Sequence, residues 1–146
     1  MILYLDTSAL LTRYFKELGS TEIISKWKEA TGIATSSVAY AETMASFYRK
    51  KREINMNGKV FGTILNSFQK DWTSFIRLEV TDDLNEPIDR IVANYPLRGF
   101  DAIHLASALM IHERIPEHFV FACFDRMLIQ AAQTEGLKTL PTDLGC

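Results

Sequence analysis

Short, almost unbroken apolar runs alternate along this chain with longer stretches whose apolar residues recur every three or four positions. Ile2–Leu5 is four consecutive apolar residues, enough for a buried strand. Asp6, Thr7 and Ser8 follow as three successive helix-capping residues, which predicts a helix over Ala9–Leu18 closed by Gly19. Ser20 or Thr21 opens a second helix to about Ala30 with Gly32 as its stop, and Ile33–Ser36 is a second strand. Ser37 is placed to cap a third helix from Val38 to about Arg52. The Asn57-Gly58 turn divides it from a fourth over Lys59–Phe75, where Phe61, Leu65, Phe68, Trp72 and Phe75 form an apolar stripe. Arg77–Thr81 is the third expected strand. Asp82-Asp83 then caps a helix over Leu84–Tyr95 that tolerates Pro87 in its first turn and ends at Pro96. Asp101–Arg114 is apolar on nearly every side, which predicts a buried helix. Phe119–Phe124 is a fourth strand, Arg126–Thr134 a helix stopped by Gly136, and Leu137–Leu140 a last strand.

Strands separated by helices, with apolar residues on both faces of each strand, imply a mostly parallel sheet of about five strands covered on both sides. Right-handed crossovers make that a three-layer α/β/α sandwich. No linker, repeat or low-complexity tract divides the 146 residues, so they are read as a single domain. In such sheets, sites form beyond the carboxyl ends of the strands.

Composition changes this picture little. Hydrophobic residues make up 47% and charged residues 23%, as in a soluble globular protein. The longest mostly apolar stretch without a formal charge, Ala102–His112, is far short of a membrane span. The first residues, with an acid at position 6, do not read as a signal peptide. Cys123 and Cys146 make no disulfide framework and no metal-ligand spacing, which fits a reducing cytoplasm. A net charge of −2 argues at first against a nucleic-acid partner. Setting aside four acids that are candidate metal ligands turns the balance of the rest slightly positive, so global charge excludes nothing.

Those acids are Asp6, Glu42, Asp101 and Asp125. Asp6 directly follows the first strand, and Asp125 lies just past the fourth, next to Phe124. Asp101 opens the buried helix, and Glu42 sits one turn into the third helix. Taken singly, each Asp is explained by helix capping. Glu42, at the margin of an inward face, needs a partner, and an ion pair with Arg49 or Arg98 is the plain alternative to a functional role. With the sheet folded as read, the four converge on one edge. Like charges so gathered repel, and a divalent cation removes the conflict. Oxygen-only ligands select Mg2+ or Mn2+ over Zn2+. Such a site suits phosphodiester hydrolysis, in which a bound ion activates water and stabilises the leaving oxygen. No Ser-His-Asp or Cys-His arrangement competes, and no phosphate-cradling Gly-rich loop is present.

The segments Leu5-Asp6-Thr7-Ser8-Ala9-Leu10, Ala41-Glu42, Phe100-Asp101-Ala102-Ile103-His104-Leu105-Ala106 and Phe124-Asp125-Arg126-Met127-Leu128 resemble the four acidic motifs of PIN-domain ribonucleases. Length and economy of elements are similar to the VapC-type toxins of toxin–antitoxin pairs. The resemblance covers Leu3 to about Leu140. It implies a PIN-like fold in which Asp6, Glu42, Asp101 and Asp125 bind Mg2+, with Thr7 or Ser8 positioning water or an acid. It also implies endonucleolytic cleavage of RNA, a cognate antitoxin and a homodimer. One departure stands out: Cys123 occupies a position, two before Asp125, where the family usually has Thr or Ser. That puts a supporting hydrogen bond in doubt.

Other features have plainer explanations beside functional ones. Arg49-Lys50-Lys51-Arg52 complements a helix C-terminus, or contacts RNA phosphates. Arg98 either neutralises the acids or touches the scissile phosphate. His104 reads as a hydrogen-bonded core histidine rather than a general acid, and the Phe61–Phe75 stripe as core or dimer face rather than a base-stacking surface. Two rival functions remain: a metal-dependent phosphatase of small phosphoesters with Asp6 as nucleophile, and an inactive RNA- or protein-binding module on the same fold.

Overall fold

The computed structural model describes residues 1–16 and 20–141. The expected helix stop at Gly19 and the thiol of Cys146 lie outside the described residues. Five strands, β1 (Ile2–Leu5), β2 (Gly32–Ser36), β3 (Ile76–Leu78), β4 (Phe119–Ala122) and β5 (Lys138–Leu140), form one sheet in the order β3-β2-β1-β4-β5. Every pairing is parallel, with Leu3 opposite Ile33 on one side and Val120 on the other. The α/β/α sandwich expected from the pattern is therefore present, with a wholly parallel sheet.

Successive side chains of a strand point to opposite faces, and the central strand shows what each face holds. Leu3 and Leu5 join Ile33, Val120 and Ala122 under α1 (Thr7–Leu11), α2 (Ser20–Glu29), α3 (Val38–Glu53) and α4 (Gly58–Ser74). Ile2 and Tyr4 join Ala34, Phe119 and Phe121 under α5 (Asn85–Asn94), α6 (Gly99–Arg114) and α7 (Arg126–Thr134). The α4 stripe is core: Phe61, Phe68 and Phe75 are buried, with Leu65 and Trp72 packed beside them. On α6, Ala102, Leu105, Ala106, Ala108 and Ile111 are buried, as the all-round apolar pattern requires. Among the described residues no helix is long and apolar enough to cross a membrane.

Several boundaries differ from expectation. The first helix is only Thr7–Leu11; the Thr12 hydroxyl donates to the Ala9 carbonyl at 2.6 Å, and the following amides turn back three residues. Ser37 is itself helical and makes no capping bond; the Ser36 hydroxyl accepts from the Val38 amide instead. β3 is shorter and earlier than Arg77–Thr81, and Thr81 rather than Asp82-Asp83 caps the short 3-10 turn Asp82–Leu84 that precedes α5. β4 stops at Ala122, because the Phe124 amide is given to the Ser8 hydroxyl at 3.1 Å rather than to a neighbouring strand. The glycine after α7, Gly136, has φ 92° and ends that helix as expected.

Candidate active site

From β1 the chain steps to β2 and β3 on one side, then crosses over to β4 and β5 on the other. The order of strands therefore reverses between β1 and β4, and the carboxyl ends of those two strands border the crevice where parallel sheets place their ligands. Leu5 and Ala122 are register partners, and the Asp6 amide donates to the Ala122 carbonyl at 3.1 Å. Asp6 thus stands directly over the reversal, with Asp125 three residues past its own strand on the other side.

A cavity of about 300 Å3 opens here, lined by Asp6, Thr7, Ser8, Glu42, Arg98, Asp101, His104, Phe124 and Asp125. That is room for a cation and a phosphodiester group. All four acids singled out from the sequence line it, as do both hydroxyl residues. Arg98 lines it too. Arg49 and Lys50 do not; with Leu11, Phe15 and Ser46 they border a separate depression between α1 and α3.

The capping explanation of single acids is correct for two of them and leaves both available to the pocket. Asp6 caps α1 through Oδ1, which accepts from the Ala9 amide at 2.9 Å and the Ser8 hydroxyl at 2.7 Å. Asp125 caps α7 through Oδ1, which accepts from the Leu128 amide at 2.9 Å. Asp101 is not a cap: α6 begins two residues earlier, and Asp101 lies in its first turn with Oδ2 3.3 Å from Arg98 Nε. Glu42 takes both its hydrogen bonds on Oε1, from the Thr7 hydroxyl at 2.6 Å and from His104 Nε2 at 3.0 Å. Among the described residues, then, Asp6 Oδ2, Glu42 Oε2 and Asp101 Oδ1 have no donor. Asp125 Oδ2 faces Arg98 Nη2 at 3.9 Å.

Among the described residues that line the cavity, four carboxylates stand with one guanidinium, and that guanidinium is mostly in solvent. Asp6 is the most buried of the four, 6% exposed. Burial pushes its carboxyl above the ordinary range and the Asp101 charge pushes the same way, against the pull of His104, the Ala9 amide and Ser8. Burial acts upward on Glu42 as well, but the bonds from His104 and Thr7 and the His104 charge outweigh it, so this carboxyl is held below its usual range. The donor chemistry, a spare oxygen on Asp6, Glu42 and Asp101, a weakly paired one on Asp125 and no sulfur, fits a hard cation. The acids are gathered rather than closed on a point: among the described residues no three His, Cys, Asp or Glu side chains stand ready as a metal cage.

Two features escaped the sequence. His104 is a buried, hydrogen-bonded histidine as expected, yet it also lines the cavity and holds Glu42; its place one turn after Asp101, on the same side of α6, is the signal that could have shown this. Tyr4 lies beneath it, with its hydroxyl 2.9 Å from His104 Nδ1. At the departing position, the buried Cys123 thiol donates to the Asp125 backbone carbonyl at 3.6 Å, so the Asp125 carboxylate gets no bond from it.

Two relatives align over nearly everything described above. Ribonuclease VapC45 of Mycobacterium tuberculosis strain CDC 1551 / Oshkosh and Ribonuclease VapC49 of strain H37Rv are each 26% identical over 143 residues, covering 98% of this chain and 97% of their own. The chain resembles VapC ribonucleases throughout its length. No family model matches it. Among solved structures, PAE2754 of Pyrobaculum aerophilum superposes with a TM-score of 0.64 at 20% identity, covering 97% of this chain and 91% of that one. A toxin–antitoxin complex from Klebsiella pneumoniae gives 0.61 at 16% identity over 84% and 86%. VapBC2 of Rickettsia felis, bound to a DNA fragment from its promoter, gives 0.63 at 14% over 95% and 97%. The fold is the PIN-like fold of VapC proteins.

Proposed function

We propose that this chain is a divalent-metal-dependent endoribonuclease and the toxin of a toxin–antitoxin pair. The observation that carries the reading is the cavity over the β1/β4 reversal, which Asp6, Glu42, Asp101 and Asp125 line together. The names of the two relatives support the same activity.

In this reading those four acids hold Mg2+ or Mn2+. When bound, the ion supplies a Lewis acid and a water of lowered pKa for attack on phosphorus. Ser8 and the Ala9 amide keep Asp6 from turning, and Thr7 does the same for Glu42. Arg98 bridges Asp101 and Asp125 through long, solvent-exposed contacts of little strength, so it can exchange them for a non-bridging phosphate oxygen. Arg49 and Lys50 lie seven and eight residues beyond Glu42 on α3, roughly 10–12 Å along the helix at 1.5 Å per residue. In this reading they would meet a phosphate further along the RNA. A protein antitoxin, supported by the complexes among the structural neighbours, completes the proposal, together with a homodimer and a cytoplasmic setting.

The test incubates structured RNA and p-nitrophenyl phosphate with the protein in Mn2+ and in EDTA. RNA cleavage that needs the metal and falls at least 100-fold in Asp101→Asn is expected. Turnover of the small ester alone would replace the nuclease by a phosphatase. Equal RNA processing by wild type and Asp101→Asn would leave only a binding module.

A further inference from the structure

A line of hydrogen bonds runs from the interior of the sheet to the rim of the acid cavity. The Tyr4 hydroxyl, on the central strand and fully buried, lies 2.9 Å from His104 Nδ1. His104 Nε2 lies 3.0 Å from Glu42 Oε1, and the same oxygen accepts from the Thr7 hydroxyl. The imidazole is 2% exposed, and the Tyr4 ring meets it edge-on at 79° with centroids 5.9 Å apart, so the ring is held in its plane by packing as well as by its two nitrogens.

A carboxylate only accepts hydrogen bonds. A bare Nε2 would set one lone pair against another at 3.0 Å, so Nε2 carries the hydrogen. The other nitrogen, Nδ1, meets the Tyr4 hydroxyl, which can donate to a neutral ring or accept from a charged one. Two directions are fixed: Nε2–H to Glu42 Oε1 and Thr7 O–H to the same Oε1. Both donors converge on one oxygen of Glu42 and leave Oε2 bare toward the cavity.

We infer that His104, oriented by Tyr4, is a positioning residue that fixes Glu42 in the one rotation presenting Oε2 as a cation ligand. This rests on the nuclease reading for the identity of the ligand, but not for the bonds themselves. Nothing in it asks His104 to touch substrate; its effect passes through Glu42. Partners that orient metal ligands in this way are typically worth 10–100-fold in metal affinity.

Two measurements decide it. Long-range 15N–1H spectra of the metal-free protein report which ring nitrogen of His104 bears the hydrogen. Calorimetry reports Mn2+ uptake by wild type, Tyr4→Phe, His104→Leu and His104→Gln, with thermal melts confirming that each variant is folded. The glutamine amide puts an N–H where Nε2 stood, so it restores the donor without the ring. Expected are an Nε2–H tautomer, a 10–100-fold loss of Mn2+ affinity in His104→Leu, recovery to within about threefold of wild type in His104→Gln, and an intermediate loss in Tyr4→Phe. An Nδ1–H tautomer, or a folded His104→Leu protein that binds Mn2+ as wild type does, would overturn the inference and leave the nuclease reading intact. If wild type itself takes up no Mn2+, the nuclease reading falls and the role given to His104 falls with it.

Discussion

Asp6 caps α1 through one oxygen and turns the other, without a donor among the described residues, to a pocket of like charges. Its raised pKa means that the folded protein binds this proton more tightly than the unfolded chain does. The stability linked to it is full below the unfolded value and is lost as pH rises through the folded one. Glu42, held low by His104 and Thr7, has the opposite sign: its contribution is present above the unfolded value and lost as pH falls through the folded one. Melting curves in EDTA across the acid-to-neutral range should therefore separate the two. Asp6→Asn, which keeps a capping oxygen, melts higher than wild type at neutral pH, with the gap closing as pH falls. Glu42→Gln melts lower at neutral pH, with its gap also closing in acid. Parallel curves for wild type and both variants would contradict these assignments. The acids were legible in the sequence because strand ends and helix starts are marked by their neighbours. His104 was not, because a histidine on an all-apolar helix has the same pattern whether it supports a site or only the core.

Elements were legible wherever the apolar period was long, as in α3, α4 and α6, and least where side chains compete with the backbone. Thr12 shortens α1, Ser8 takes the amide that would have prolonged β4, and Ser36 rather than Ser37 caps α3. Each is a hydroxyl choosing among nearby partners, and sequence spacing alone does not rank them. Asn57 is a clean case to test. Its side chain accepts from the Lys59 and Val60 amides at the exposed start of α4, away from the cavity. Asn57→Ala should cost about 1 kcal/mol in urea unfolding, with RNA cleavage unchanged. Asp125→Ala should cost a similar amount through the α7 cap and lose cleavage as well, because that cap is also a candidate ligand.

At the scale of the molecule, the parallel sheet followed from its apolar strands, and the placing of a site at the carboxyl edge followed from the sheet. The strand order did not. It is set by the crossover from β3 past β2 and β1 to β4, a long-range choice with no local signature, and it is this crossover that opens the crevice beneath Asp6 and Asp125. A cation that bridges both sides of the reversal should stabilise the whole fold. At 100 times its dissociation constant it contributes about 2.7 kcal/mol, which for a chain of this size raises the melting temperature by roughly 5–10 °C. Asp101→Asn should show a smaller rise at the same Mn2+ concentration. The central claim, that one cavity formed by four distant acids is a hard-cation site, is met most directly by anomalous diffraction from crystals soaked in Mn2+. The account predicts a manganese peak in contact with Asp6 and at least two of Glu42, Asp101 and Asp125. A saturated crystal with no peak in that cavity, or with manganese held only elsewhere, would contradict it.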